Sequence, residues 1–174
     1  MPSGVASDVD YKIRKYSRSG VLVDTNLLLV YFVGLYDIRT GQQLIDNFKY
    51  TKGDYESGDF DVLDAFLNNF QVRVITPHIL TEVYTIIDNE LNYTARDLCL
   101  GLIQKVIPTF REQHIPAKQL LAEDKVRTYG VADMSILRSA KAESYLVLTE
   151  DGPLTNYLNK VEVATLSLSE IKNA

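Results

Sequence analysis

The sequence predicts an α/β protein with a mostly parallel sheet and helices on both faces. Short runs of β-branched and aliphatic residues alternate along the chain with longer segments whose apolar residues recur at helical spacing. Strands that alternate with helices in this way are typical of a parallel sheet. The chain has 174 residues, 46% of them hydrophobic, which suffices for one domain with a substantial core.

The first predicted strand is the most informative segment. Residues 21–23 (Val-Leu-Val) follow a Ser-Gly turn signal and have the composition of a short buried strand. An apolar segment of helical length, 27–35, comes next. Asp24, Thr25 and Asn26 therefore lie where a core strand ends and a helix begins. Open α/β sheets bind ligands at this place, although the same residue types also favour the N-cap of a helix.

Periodicity and helix breakers predict the remaining elements. Residues 39–59 are rich in Gly, Asp, Lys and Thr and form the least regular part, with a short helix predicted at 42–48. Pro108 should end or kink one helix, and Gly130 should separate two others. The predicted helices then span 61–70, 77–91, 94–110, 117–128, 131–141, 154–159 and 168–172, and the further strands span 72–75, 145–149 and 161–166.

Composition limits the functional classes. The single cysteine, Cys99, excludes an internal disulfide and a cysteine-based zinc site and favours a reducing compartment. The apolar run 27–35 is far shorter than the ~20 residues of a membrane-spanning helix. The polar first twenty residues do not resemble a secretory signal. We therefore expect a cytoplasmic protein with no membrane partner.

Three further acidic residues are placed relative to the predicted sheet as Asp24 is. Asp151 follows the strand 145–149, Glu82 lies one turn into a helix that follows a strand, and Asp133 lies in the first turn of another helix. Because the carboxyl ends of parallel strands meet at one edge, we expect these four carboxylates to converge. They would repel one another unless cations neutralise them. Stabilisation of helix N-termini is the simpler explanation of Glu82 or Asp133 taken singly.

A carboxylate cluster without histidine or cysteine suits the hard cations Mg²⁺ and Mn²⁺. The chain has two histidines, and neither stands at a ligand spacing such as H-x-x-x-H. Such a cluster supports metal-assisted phosphodiester hydrolysis, because metal ions lower the pKa of a bound water and stabilise charge on the reacting oxygens. The predicted chemistry is therefore that of a nuclease.

The net charge of −5 is opposite in sign to that of most nucleic-acid-binding proteins. Bound divalent cations would offset part of it. Positive side chains are concentrated in the first twenty residues, where they alternate with tyrosines and could follow a phosphate backbone. The alternative is a solvated leading segment or an added edge strand. The candidate RNA-binding residues are Lys12, Arg14, Lys15 and Arg18.

Four fragments of the sequence, in order, resemble the motifs of PIN-domain nucleases. They are Val-Asp-Thr-Asn after a strand, the Glu of Thr-Pro-x-x-Leu-x-Glu, the Asp of Gly-Val-x-Asp-x-x-Ile, and Thr-x-Asp after the penultimate strand. The resemblance covers 20–174 and leaves 1–19 as an N-terminal extension. It implies a three-layer α/β/α sandwich with ribonuclease activity that is specific for single strands and depends on Mg²⁺ or Mn²⁺. The implied catalytic and metal-binding residues are Asp24, Glu82, Asp133 and Asp151, and those that orient ligands and water are Asn26 and Thr149.

The resemblance leaves the biological role open. Single-stranded RNA is the expected substrate, and an inhibitory antitoxin-like protein and a second copy of the chain are candidate partners. Both a toxin of a toxin–antitoxin pair and an RNA-processing enzyme agree with it. The alternative from another class is a PIN-like module that binds RNA or protein without catalysis. Glu150 adjoins Asp151, but consecutive residues at a strand end point to opposite sides, so Asp151 is the expected ligand.

Overall fold

The computed structural model describes the backbone of residues 4–174 and the side chains from Asp8 onward. Within them, five short strands form a single sheet: β1 (Val21–Val23), β2 (Arg73–Ile75), β3 (Arg111–Glu112), β4 (Leu146–Leu148) and β5 (Thr165–Leu166). All neighbouring strands are parallel, in the order β3-β2-β1-β4-β5. Helices flank this sheet, so the predicted α/β class with a parallel sheet is confirmed, and the architecture is consistent with a PIN-like α/β/α fold.

The helices occupy most of the chain between the strands. The α-helices of the described part are α1 (Gly4–Tyr16), α2 (Thr25–Thr40), α3 (Ser57–Leu67), α4 (Pro77–Glu90), α5 (Tyr93–Val106), α6 (Ala117–Leu120), α7 (Val126–Glu143), α8 (Gly152–Lys160) and α9 (Leu168–Lys172). A 3-10 turn at Ile107–Thr109 ends α5 beside Pro108, as predicted. None of them is both long and apolar enough to cross a membrane.

The centre of the core is formed by β1 and α2. All three residues of β1 are fully buried between β2 and β4. Helix α2 is buried throughout 27–33 and packs against α3, α4 and α5. A helix that is apolar on all sides is expected inside a core. Gly34 allows α3 to approach closely, because a Cβ atom there would overlap with Cβ of Phe60.

The strand order indicates where a ligand would bind. Moving outward from β1, the chain adds β2 and β3 on one side and β4 and β5 on the other. The order therefore reverses between β1 and β4, and the loops that leave their carboxyl ends diverge to opposite faces of the sheet. In open α/β sheets the crevice outside such a reversal is the usual ligand-binding position.

One alternative and one prediction for the first fifty residues are wrong. The cationic N-terminal segment is not an edge strand, because it forms α1 and contributes the buried Val9 to the core. The helix predicted at 42–48 is also absent, and this segment folds as successive turns. The buried carboxylate of Asp37 accepts hydrogen bonds from the backbone N–H groups of Leu44 and Ile45 (2.7 and 2.9 Å), which fixes the chain in a non-helical path.

Two further elements differ in extent, and one strand is additional to those predicted. Of the helix predicted at 117–128, only α6 forms before α7 begins at Val126. The last strand is limited to Thr165–Leu166 and follows a turn in which Glu162 adopts a positive φ of 63°. Strand β3 was not predicted. Its two residues are exposed and lie at the edge of the sheet, so they carry no hydrophobic alternation.

Candidate functional site

The structure brings the four predicted carboxylates to one cavity of about 460 Å³ at the carboxyl edge of the sheet. Asp24 directly follows β1 and is the N-cap of α2, whereas Asp151 comes shortly after β4, following Thr149 and Glu150, and is the N-cap of α8. Glu82 comes from α4 and Asp133 from α7. We call this space the carboxylate cavity, and its other walls include Thr25, Asn26, Tyr50, Thr81, Thr85 and Ile86.

Asp24 forms the floor of the cavity and is held on both oxygens. Only 6% of the residue is exposed. Its Oδ1 accepts a hydrogen bond from the backbone N–H of Thr25 (2.6 Å), and its Oδ2 accepts one from the hydroxyl of Thr149 (2.7 Å). Thr149 Oγ1 also accepts the backbone N–H of Asp151 (3.0 Å). Thr149 thereby connects the ends of β1 and β4 and fixes the two aspartates relative to each other.

Glu82 and Asp151 are also bound to neighbouring groups. Asp151 Oδ1 accepts the backbone N–H of Leu154 at 2.6 Å, as a helix N-cap does. Glu82 Oε2 accepts a hydrogen bond from the hydroxyl of Thr25 at 2.8 Å. Sequence reasoning missed this role of Thr25. The sequence shows that Thr25 follows Asp24, but no local pattern connects Thr25 with a residue 57 positions away.

Asp133 is positioned by a kink and a pair of hydroxyls. Gly130 interrupts α7 with φ 91° and ψ 174°, so the helix starts again just before Asp133. The hydroxyl of Ser135 donates to the carbonyl of Ala132 (2.6 Å) and lies 2.7 Å from the hydroxyl of Thr76. Because Ser135 uses its proton in the first bond, Thr76 donates in the second. This bond joins the part of α7 that follows the Gly130 kink to the N-cap of α4, the helix that carries Glu82.

The four carboxylates influence one another electrostatically. Burial, together with the negative charges of Asp24, Asp151 and Glu82, raises the pKa of Asp133 to about 7. Burial also raises the pKa of Asp24, while its hydrogen bonds from Thr149 and Thr25 oppose that rise. Negative charge at this edge is therefore incompletely compensated by the chain itself.

The donor set suits a hard cation, but a finished metal site is not formed. In residues 8–174, whose side chains are described, no three Asp, Glu, His or Cys side chains lie close enough together to hold a metal ion. The carboxylate oxygens instead bind Thr25, Thr149 and Leu154. All four acidic groups offer oxygen alone, the ligand type that Mg²⁺ and Mn²⁺ prefer. The chemistry of the residues fits these ions, and occupancy would require the side chains to approach one another.

The other predicted site residues are distributed differently. Asn26 is exposed and lines the carboxylate cavity. Glu150 does not join its neighbour Asp151, because it faces an adjoining cavity and accepts the backbone N–H of Ser169. The predicted cationic residues lie elsewhere: Lys12, Arg14 and Lys15 are on α1, and Arg18 is in the turn between α1 and β1. Helix α1 ends at Tyr16, shortly before β1 begins, so that end is beside the amino ends of the strands.

The fold has a similar solved structure, whereas the sequence has no matching family. No family model matches the chain, and no curated protein matches it. The crystal structure of FitAcB from Neisseria gonorrhoeae has a TM-score of 0.52 and 17% sequence identity, over 86% of this chain and 98% of that chain. At this identity the similarity shows a shared fold alone. The parallel sheet and its flanking helices agree with this similarity and are consistent with a PIN-like α/β/α fold.

Proposed function

We propose that this protein is a metal-dependent endoribonuclease that hydrolyses phosphodiester bonds of single-stranded RNA. The observation that carries the proposal is the meeting of Asp24, Glu82, Asp133 and Asp151 in one cavity at the reversal of strand order. These residues come from four separate elements. Helix capping accounts for single acidic residues, but it does not require four of them to share one space.

The proposed cofactor is Mg²⁺ or Mn²⁺, held by the four carboxylates. When bound, such an ion supplies an activated water and stabilises negative charge on the reacting phosphate. The chain contributes the positioning. Thr149 and the N–H of Thr25 keep Asp24 in one rotamer, and Thr25 holds Glu82 toward the same space. Because Asp24 is almost fully buried, bulk water has little access to its carboxylate.

A role with a protein partner is part of the proposal. The resemblance to PIN-domain nucleases and the fold shared with FitAcB favour a toxin-like enzyme whose activity an antitoxin-like protein suppresses. A second copy of the chain is a further candidate partner. RNA processing is the other biological role that agrees with the same chemistry.

A PIN-like module without catalysis is the second candidate function. It is favoured by one observation: no three acidic side chains of the described residues lie at metal-binding distance. An interaction module would bind RNA or protein through the same edge and would need no ion. The two candidates therefore differ in their dependence on metal.

The deciding experiment treats the full chain with end-labelled single-stranded RNA and its duplex, in Mg²⁺, in Mn²⁺ and in excess EDTA. We expect cleavage of the single strand with either ion, little cleavage of the duplex, and none in EDTA. A parallel melt should show stabilisation by Mn²⁺, since a ligand that binds only the folded state raises its stability. Equal cleavage with and without EDTA would exclude the metal mechanism. RNA binding that is equal in all buffers, without cleavage, would establish the interaction module instead.

A further inference from the structure

A second cavity adjoins the carboxylate cavity. It has a volume of about 420 Å³, and Asn26 and Tyr50 line both spaces. The two cavities therefore form one continuous depression along the carboxyl edge of the sheet. A chain-like ligand with one group at the four carboxylates would place its next group here. We call this space the tyrosine cavity, after Tyr50 and Tyr55 in its wall.

The aromatic side of the tyrosine cavity comes from the irregular segment 41–56. Tyr50 is 37% exposed, and Tyr55 is partly buried against the core. Aromatic side chains in a groove provide stacking surfaces for unpaired bases, and removing one weakens binding by about 5- to 150-fold. A volume of this size is in the range of small-molecule sites.

The opposite side offers a carboxylate and an ammonium group. Glu150 is anchored because its Oε1 accepts the N–H of Ser169 (2.9 Å), and Lys172 is anchored by Asp59 at 2.6 Å. The ammonium has three donors, so two remain after this ion pair. Each carboxylate oxygen can accept two hydrogen bonds, so Oε2 and the second lone pair of Oε1 of Glu150 remain as neighbouring acceptors. Because Lys172 is already paired with Asp59, and Asp54 and Glu150 add negative charge, the cavity is unfavourable for a phosphate.

We propose that the tyrosine cavity is a base-binding subsite for the nucleotide next to the scissile phosphate, and that it prefers guanine. Guanine presents N–H donors beside a carbonyl oxygen, which complements Glu150 and Lys172. Uracil lacks the amino group and adenine lacks the carbonyl. Tyr50 and Tyr55 supply the stacking surface, and Asn26 lies between this base and the four carboxylates. The subsite rests on the proposed function for its role in choosing cleavage sites.

Binding of uncharged nucleosides tests the subsite without any hydrolysis. Guanosine, adenosine, cytidine and uridine are titrated in EDTA against isotope-labelled protein, and backbone shifts are followed by NMR. We expect guanosine to bind at least tenfold more tightly than uridine, because uridine cannot make one hydrogen bond to a charged group. The shifts should centre on 50–55 and 168–172. Equal binding of all four nucleosides, or shifts elsewhere, would overturn the subsite.

Matched variants separate the contributions that the side chains lining the tyrosine cavity make to nucleoside binding. Glu150→Gln should reduce the preference for guanosine over uridine by about tenfold, whereas Glu143→Gln, at the exposed end of α7, should not. Tyr50→Leu should weaken all nucleosides by about 5- to 150-fold, and Tyr50→Phe should retain binding because the ring remains. Tyr93→Leu is the control, since Tyr93 is 76% exposed and lines neither cavity. Preserved guanosine preference in Glu150→Gln would contradict the assignment.

The experiments can support or overturn the base-binding subsite independently of the proposed nuclease function. Guanosine binding at the tyrosine cavity by a protein that never cleaves RNA would support the subsite and overturn the nuclease. Metal-dependent cleavage whose position is independent of guanine and of Glu150 would support the nuclease and overturn the subsite.

Discussion

The two cavities at the carboxyl edge of the sheet take their side chains from different kinds of secondary structure. The carboxylate cavity takes its acidic residues from the ends of β1 and β4 and from the helices α4 and α7. The tyrosine cavity takes Tyr50 and Tyr55 from a segment of turns. In the first, local backbone rules fix where a side chain emerges. In the second, the backbone path depends on side-chain anchoring, such as the hydrogen bonds that the Asp37 carboxylate accepts from the N–H groups of Leu44 and Ile45.

This difference predicts where substitutions act. Changes in the carboxylate cavity should affect chemistry while the fold persists, because its residues carry strain from clustered charge. Changes in the anchors of the tyrosine segment should affect stability and recognition while the chemistry persists. Variants of Asp24, Asp133, Asp37 and the N-terminal cations test this separation.

Asp24→Asn should reduce RNA cleavage by roughly 100-fold or more, since it alters the most buried of the four acidic groups. It should leave the melting temperature in EDTA equal or higher, because one buried charge among like charges is removed. Cleavage assays and thermal melts measure the two effects. Asp124→Asn, an exposed residue outside the cavity, is the control. Severe unfolding of Asp24→Asn would show that this aspartate is structural.

Asp133→Asn should reduce cleavage by about 10- to 100-fold, with partial recovery at high Mn²⁺. It should also change how stability depends on pH in EDTA. The pKa of Asp133 is about 7 in the folded chain, against an ordinary value of 3.8. Between these values only the folded state retains the proton, so the stability of the wild type should fall as pH rises from about 4 to 7.

The variant should lack this part of the fall, and its melting temperature should exceed that of the wild type most clearly above pH 7. Parallel pH-dependent melts in EDTA measure the difference. If the two proteins cleave RNA equally at limiting metal, Asp133 is only a helix-start residue and the site has three acidic groups.

The same contrast explains how much the sequence could predict. The strand at 21–23 and the cap at Thr76-Pro77 are encoded locally, so the class of fold and the convergence of the strand-end carboxylates followed from spacing. The pairing of Thr25 with Glu82 crosses 57 positions, and no local signal specifies it. The segment 42–48 has helical spacing at Ile45 and Phe48, but the buried carboxylate of Asp37 overrides that tendency.

Asp37→Ala tests the anchoring of the tyrosine segment. Both carboxylate oxygens accept backbone N–H groups, and their removal leaves two donors without partners. We expect a loss of about 2–3 kcal/mol in the free energy of unfolding, and a fall in melting temperature of roughly 5–10 °C. Limited proteolysis should cut within 41–56. Asp46→Ala, exposed in the same segment, should do neither. Metal-dependent cleavage at low temperature should persist, and its abolition would show that the two cavities are not separable.

The smallest effect is expected at the four cationic side chains of the N-terminal segment, of which Lys12, Arg14 and Lys15 are on α1 and Arg18 follows it. Lys12 is already paired with Asp8 at 2.7 Å, and Lys15 lies 5.6 and 5.1 Å from the ring centroids of Tyr11 and Tyr16. The end of the helix that bears Lys15 is beside the amino edge of the sheet, away from the four carboxylates. A long RNA would therefore reach these cations only by wrapping around the molecule.

Changing all four cations to Gln should weaken RNA binding and flatten its dependence on salt, by about 0.7 in the logarithmic slope for each phosphate that is no longer neutralised. Cleavage of an oligonucleotide too short to wrap should stay unchanged, because it binds at the opposite edge. Affinity measured over a series of salt concentrations gives the slope. An unchanged slope would make α1 a structural element whose contribution is Val9 in the core. The substituted residues are Lys12, Arg14, Lys15 and Arg18, and the control with the same change of charge replaces Lys105, Lys118, Lys141 and Lys160.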